Sequence, residues 1–126
     1  MSNSDYAIDI RVACRFLAEQ SAPDDGRFVF AYTVNLRNRG RLATRLLSRH
    51  WIITEADGTT EEVRGDGVAG EQPRMHPGDA YEYDSGAVLK TCVGTMRGSY
   101  LMEAEDGTRF EAPIPAFVLS IPRTLH

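Results

Sequence analysis

Cysteine is scarce in this sequence of 126 residues: Cys14 and Cys92 are the only two, and neither stands in a Cys-x-x-Cys or Cys/His spacing. Zinc sites and thiol-exchange sites use such spacings, so the sequence has no motif of either kind. Two reduced thiols are expected, as is usual in the cytoplasm. A disulfide between them is geometrically possible, but sequence spacing does not predict it.

Long apolar runs and basic tracts are missing as well. The longest stretch without a charge, residues 112–122, contains three prolines and falls short of the roughly 20 residues of a membrane helix. The formal net charge of −4 argues against nucleic-acid binding, which needs a dense cationic patch. Residues 1–6 lack the basic and apolar parts of a secretory signal. We therefore expect one domain over residues 1–126, located in the cytoplasm, with neither a membrane nor a nucleic-acid partner.

What the sequence does have is alternation. Apolar residues occupy every second position from Tyr6 to Phe16 and again from Phe28 to Leu36. A half-buried strand gives this pattern because successive side chains leave opposite faces of the sheet. No window of a dozen residues carries an apolar stripe at helical spacing. The chain is therefore predicted to be all-β.

Turn signals divide the chain into about seven strands. In Asp57-Gly58, Pro77-Gly78 and Asp106-Gly107, glycine can accept the positive φ that tight turns require. The predicted strands cover residues 6–18, 27–37, 44–55, 60–64, 80–85, 95–104 and 109–119. Antiparallel strands at this spacing predict a β-sandwich, in which two sheets pack face to face.

Two details of the sandwich can be predicted from particular residues. Pro113 and Pro115 should place the last strand on an edge or at a bulge, because proline cannot donate to a ladder. In residues 46–54 the phase is ambiguous, since Trp51 with Ile53 or His50 with Ile52 could point inward. Immunoglobulin-like sandwiches usually bury a Trp on the third strand, which favours Trp51 and Ile53.

Six short segments form an ordered pattern over nearly the whole chain. They are Ser48 to Thr54 (SRHWIIT), Gly67 to Pro73 (GVAGEQP), Pro77-Gly78, Tyr83 to Gly86 (YDSG), Gly94 to Tyr100 (GTMRGSY) and Ile114 to Phe117 (IPAF). Together they resemble the signature of the bacterial ApaG family.

This resemblance implies a fibronectin-type-III- or immunoglobulin-like sandwich, in agreement with the strand pattern. It also implies an association with cobalt tolerance and magnesium efflux. Related domains in eukaryotic F-box proteins and in a polymerase-interacting protein look like protein-binding modules. A fold alone does not define a function, but sandwiches of this kind host binding more often than catalysis. We therefore expect a non-enzymatic binding or regulatory domain with a protein partner and no cofactor.

A glycine-rich loop gives an alternative. Gly65, Gly67 and Gly70 form a literal G-x-G-x-x-G, but the following Glu71-Gln72-Pro73 leaves no room for the helix that a dinucleotide fold requires. Exposed loop amides could still form an anion nest. Arg49, Arg64 and Arg74 could supply cationic partners for a phosphate. The alternative function is therefore a small-ligand sensor that binds pyrophosphate or a nucleotide polyphosphate.

Metal and catalytic motifs are weak. His50, His76 and His126, with Glu71 and Asp79, show no metal-ligand spacing, so no metal site is expected. Ser48 and His50 should share one face of a strand, but no orienting acid or oxyanion donor is identifiable from the sequence, so no catalytic residue is expected.

Partner contacts can be proposed at a sheet edge and at the long connection before Pro77. Sandwich edges can accept an added strand, and long connections often carry recognition residues. The candidate partner-binding residues are Glu71, Gln72, Pro73, Ser85 and Gly86. The sequence leaves open whether the protein is a monomer or a homodimer.

Overall fold

The computed structural model describes residues 5–122, and these form eight strands. The strands are β1 (Ile8–Phe16), β2 (Phe28–Asn38), β3 (Thr44–Glu55), β4 (Thr60–Asp66), β5 (Arg74–Met75), β6 (Ala80–Leu89), β7 (Val93–Ala104) and β8 (Arg109–Ser120). Two short 3₁₀ helices, Ala18–Gln20 and Pro23–Asp25, lie between β1 and β2. In the described range, no helix is long and apolar enough to cross a membrane.

The strands form two antiparallel sheets, which confirms the predicted β-sandwich. The smaller sheet has the order β1-β2-β6, and the larger has the order β4-β3-β7-β8, with β5 pairing with the start of β3. In constant-type immunoglobulin domains the fourth strand joins the first sheet. Here β4 pairs with β3 instead, as in fibronectin type III domains.

All seven predicted strands are present, with differences at their ends. The first strand stops at Phe16, because the chain turns into the 3₁₀ helix at Ala18–Gln20. Strand β6 continues to Leu89, four residues beyond the predicted end, through Ser85 and Gly86. The two-residue strand β5 was not predicted, since two residues are too few to establish a period.

Trp51 lies at the centre of the core between the sheets. Its ring contacts Tyr32, Tyr100 and Phe117 at centroid distances of 5.6, 6.3 and 5.9 Å, and its side chain is buried. Edge-to-face contacts of this kind add to the free energy gained by burying the rings. The prediction that Trp51, rather than His50, points inward is confirmed.

Strand β8 has both features that its prolines predicted. It lies at the edge of the larger sheet, and its pairing with β7 shifts register between Met96 and Gly98. A Cβ at Gly98 would overlap the carbonyl oxygen of His50, so this close approach of β7 to β3 requires glycine.

Candidate functional site

The two long sides of the sandwich differ. On one side β1 of the smaller sheet contacts β8 of the larger one, and the Cys14 thiol donates to the Val118 carbonyl at 3.4 Å. The order of strands then places β6 and β4 at the opposite side, as the other edges of the two sheets. We call these the closed side and the open side.

Strand β6 presents unpaired peptide groups at the open side. Val29 of β2 donates to the Ser21 hydroxyl and accepts from the Leu17 amide, each at 2.8 Å, so it does not bond to Val88, its neighbour in β6. The peptide groups of Val88 therefore point away from β2, and alternation in an antiparallel ladder extends this to every second residue. The outward-facing residues are Ala80, Glu82, Asp84, Gly86 and Val88.

The backbone of this edge is accessible. Gly86 is exposed, and because glycine has no side chain its exposure is that of the peptide backbone. The Val88 side chain is 51% exposed. Over residues 5–122, no strand pairs with the outward side of β6. We call this row of residues the β6 edge.

The predicted partner-binding residues fall into two groups. Ser85 and Gly86 lie within β6, and Ser85 is the direct neighbour of Tyr32 across the β2–β6 ladder. Gln72 and Pro73 tie the connection to β3, since the Gln72 amide donates to the Leu47 carbonyl at 2.9 Å and the Pro73 carbonyl accepts from the Leu46 amide at 3.0 Å.

Glu71 is held within the connection, since its backbone exchanges two hydrogen bonds with Val68. Burial raises the pKa of Tyr81 in β6, and the negative charge of Glu71 adds to this effect.

The glycine-rich loop is held by internal hydrogen bonds. Val68 is fully buried, and it exchanges two hydrogen bonds with Glu71 at 2.8 and 2.9 Å across a turn formed by Ala69 (φ 50°) and Gly70 (φ 80°). The Gly67 amide donates to the Leu47 carbonyl at 2.8 Å. The amides of Gly67, Val68 and Glu71 are therefore occupied within the fold. The loop leads into β5, not into a helix.

Arg49 is the main side chain that supports this loop. Its Nη1 donates to the carbonyls of Asp66 and Gly67 at 3.0 and 2.9 Å, and its guanidinium lies against Gly65. A guanidinium that binds carbonyls in this way supplies the loop with donors that backbone amides would otherwise provide.

The structure does not bring together the three arginines predicted to bind an anion. Arg49 and Arg64 both border a cavity of about 370 Å³ beside Gly65. Their side chains leave opposite faces of the larger sheet, because Arg49 pairs with Gly65 and Arg64 pairs with His50 in the β3–β4 ladder. Arg74 lies on β5 beside Arg45, and its guanidinium is 3.9 Å from Glu105. Arg64 is 3.4 Å from Glu62.

The same cavity extends over the outer face of the larger sheet. The sequence predicts no catalytic or metal site on this face. The cavity is also lined by Ser48, His50, Asp66, Ser99, Leu101 and Glu111. Ser99 is the direct neighbour of His50 across the β3–β7 ladder. Only the order of the strands brings these residues together, so no spacing in the sequence could indicate the group.

His50 has a carboxylate partner on this outer face. Its Nε2 lies 2.7 Å from Glu62 Oε1, and this hydrogen bond lowers the pKa of the Glu62 carboxyl. His76 lies in a turn, where its backbone amide donates to the Asp79 carboxylate at 3.0 Å. His126 lies outside the described residues. Among residues 5–122, no three His, Cys, Asp or Glu side chains form a group that could hold a metal ion.

The order of the strands and the unpaired β6 edge define a fibronectin-type-III-like β-sandwich with one open side. Comparison with known proteins identifies its family. The model of the ApaG domain family matches residues 18–104. Protein ApaG of Stenotrophomonas maltophilia is 60% identical over 96% of this chain and 95% of its own, and that of Xanthomonas campestris is 55% identical over the same shares. The crystal structure of a Bordetella pertussis protein designated ApaA superposes with a TM-score of 0.93 at 46% identity, over 98% of this chain and 100% of that one. The chain belongs to the ApaG family.

Proposed function

We propose that this protein is a non-enzymatic recognition domain that binds an extended segment of a partner protein along the β6 edge. The observation that carries this proposal is the row of outward-facing peptide groups at Ala80, Glu82, Asp84, Gly86 and Val88. An added strand can bond to such a row through its own backbone, and affinity then comes from main-chain hydrogen bonds.

Other edges are less suited to an added strand. Strands β1 and β8 lie together on the closed side. Strand β4 is short and carries Glu61, Glu62, Arg64 and Asp66 among its seven residues, and charged side chains discourage strand addition. By contrast, residues 85–89 of β6 include no charged side chain.

Two valine-to-proline variants test the proposal. Val88→Pro removes an outward-facing amide of β6, and Val118→Pro is the matched control. Val118 is an equally exposed valine (56%) on the edge strand β8, and its carbonyl also points away from its own sheet. Proline is tolerated at such edge positions, so both variants should fold.

The probe is a set of peptides selected against the protein from a random display library. We expect Val88→Pro to weaken their binding by roughly tenfold and Val118→Pro to leave it unchanged. In hydrogen exchange, the amides of Glu82, Asp84, Gly86 and Val88 should gain protection on binding. Equal binding by both variants, or protection confined to other strands, would contradict the proposal. So would a homodimer that Val88→Pro converts to monomers, because the edge would then serve self-association.

Pyrophosphate binding at the Gly65–Gly70 loop is a second candidate. It is favoured by the cavity beside Arg64 and Gly65, but this cavity also contains the carboxylates of Asp66 and Glu111, and the Arg49 guanidinium is bound to the carbonyls of Asp66 and Gly67. A thermal melt with pyrophosphate, with and without Mg²⁺ or Co²⁺, tests it. A stabilisation that is lost in Arg64→Gln would support a site there, and superimposed curves would reject it. Under either candidate, the association with cobalt tolerance and magnesium efflux would act through the bound partner or ligand.

A further inference from the structure

Building on the proposed function, we infer that the partner segment is cationic, with basic side chains alternating with apolar ones. The stretch from Pro77 to Leu89 contains three carboxylates, Asp79, Glu82 and Asp84, and no basic side chain. The charged side chains of β6 itself, Glu82 and Asp84, are thus all negative.

The carboxylates of β6 are held in place by neutral groups. Asp84 Oδ1 accepts from the Thr33 hydroxyl at 2.6 Å, and Glu82 Oε1 lies 3.4 Å from the Asn35 side-chain nitrogen. Within residues 5–122, neither carboxylate forms a salt bridge. Both charges are therefore oriented and remain available to a partner.

Basic side chains lie nearby, but not on this strand. Arg15 lines a shallow depression with Asp84, yet it belongs to β1, which is two strands away, or roughly 10 Å. Arg37 lies on β2 opposite Ala80, where its Nη1 donates to the Gly78 carbonyl at 3.2 Å. Neither of these basic side chains forms a salt bridge with Glu82 or Asp84 in the part of the chain that the structure describes, residues 5–122.

The alternation of side chains between the two faces of β6 sets the alternation expected in the partner strand. Glu82 and Asp84 face the outer surface of the smaller sheet, whereas Tyr81, Tyr83 and Ala87 face the interior and are buried or partly buried. A strand paired with β6 follows the same pleat. The side chains of the partner strand on the outer surface of the sheet lie beside the carboxylates, where opposite charges stabilise the pair. Its side chains on the interior surface cover Tyr81 and Ala87.

Three peptides of roughly eight residues test the inference, each with valine at alternate positions and with lysine, threonine or glutamate between. We expect the lysine peptide to bind about tenfold more tightly than the threonine peptide, and the glutamate peptide to bind weakest. The preference for lysine should shrink as salt is raised, because the charges are exposed. Hydrogen exchange at Glu82, Asp84, Gly86 and Val88 shows whether each peptide occupies the β6 edge.

A double charge reversal, Glu82→Lys with Asp84→Lys, should invert the order so that the glutamate peptide binds best. Its matched control, Glu19→Lys with Glu111→Lys, changes the net charge equally at exposed positions away from β6 and should retain the lysine preference. If all three peptides protect the β6 edge with equal affinity, the inference is wrong and the proposed function stands. If none protects it, while library peptides bind elsewhere, both are wrong.

Discussion

The guanidinium of Arg49 lies so close over Gly65 that a Cβ at residue 65 would be 2.6 Å from Nη2. The two residues are direct neighbours across the β3–β4 ladder. Glycine at 65 thus leaves the space through which Arg49 reaches the carbonyls of Asp66 and Gly67. The glycine-rich motif is explained here by the packing of an arginine side chain.

The first prediction concerns this pair. Gly65→Ala should lower the free energy of unfolding by about 1–2 kcal/mol, because the displaced guanidinium loses its hydrogen bonds to the two carbonyls. In an Arg49→Met background the same change should cost less than about 0.5 kcal/mol. Denaturant unfolding of the four proteins in the double-mutant cycle measures the difference. Additive costs would contradict the role assigned to Arg49.

The second prediction compares two glycines of the loop that both have positive φ. A Cβ at Gly67 would overlap the carbonyl of Glu71, whereas a Cβ at Gly70 would meet nothing within 4 Å. Gly70→Ala should therefore cost only about 1 kcal/mol, the ordinary penalty for left-handed backbone. Gly67→Ala should cost more than about 3 kcal/mol, since a steric overlap adds to that penalty.

Circular dichroism during chemical unfolding compares the two variants, with Gly70→Ala as the control for backbone conformation alone. Similar free energies of unfolding for Gly67→Ala and Gly70→Ala would mean that the backbone at Glu71 can move away from residue 67. The comparison also shows why a ligand-binding test should use Arg64: a larger side chain at residue 67 would disturb the fold as well as the loop.

The third prediction concerns two buried hydroxyls. The Tyr83 and Tyr100 hydroxyls are hydrogen-bonded at 2.5 Å, and the Tyr100 side chain has no exposed surface. Tyr83→Phe should destabilise the protein by about 1–3 kcal/mol, because it leaves a buried hydroxyl without this partner. The double change to phenylalanine should recover most of that loss. A double variant less stable than Tyr83→Phe would contradict the pairing.

The fourth prediction is a loss of stability at alkaline pH. Burial raises the pKa of Tyr83 to about 12, and burial also raises that of Tyr100. An unfolded tyrosine ionises near pH 10, so above this pH the native state holds protons that the unfolded state releases. The stabilisation is complete below pH 10 and is lost as pH rises toward 12, by about 1.4 kcal/mol per pH unit for each such proton.

Urea unfolding at a series of pH values from 9 to 12 would show this slope. The variant with phenylalanine at residues 83 and 100 should have a shallower slope over the same interval. Equal slopes for both proteins would assign the alkaline loss of stability to other groups.

Much of the fold could be predicted because burial on one face leaves a period of two in the sequence. That period identified β1 and β2, whereas the phase of Trp51 was predicted from the Trp that immunoglobulin-like sandwiches usually bury on the third strand. It did not reveal the far half of β6, since Ser85-Gly86 looks like a turn when its neighbours in space are unknown. Ala31 and Tyr32 of β2 pair with these residues and keep them extended.

The candidate site was less predictable, because it depends on which strands are neighbours. The sequence predicts partner contacts at Ser85 and Gly86, and both lie in the edge strand β6, where the peptide groups of Gly86 point away from β2 and those of Ser85 point toward it. Nothing in their sequence distinguishes an edge strand from a central one. The direction of Arg49 depends on the irregular pairing between Leu46 and Ser48, which precedes it in β3. A bulge of this kind changes which face a side chain occupies without leaving a mark in the local sequence.

The contact between β1 and β8 has a practical consequence. Within residues 5–122 these are the first and last strands, and both lie on the closed side, opposite the β6 edge. A fluorescent reporter or a surface tether joined beyond β1 or β8 would therefore leave the open side accessible. The same geometry would let the domain be appended to a larger polypeptide as an adaptor, with its docking strand facing away from the attachment point.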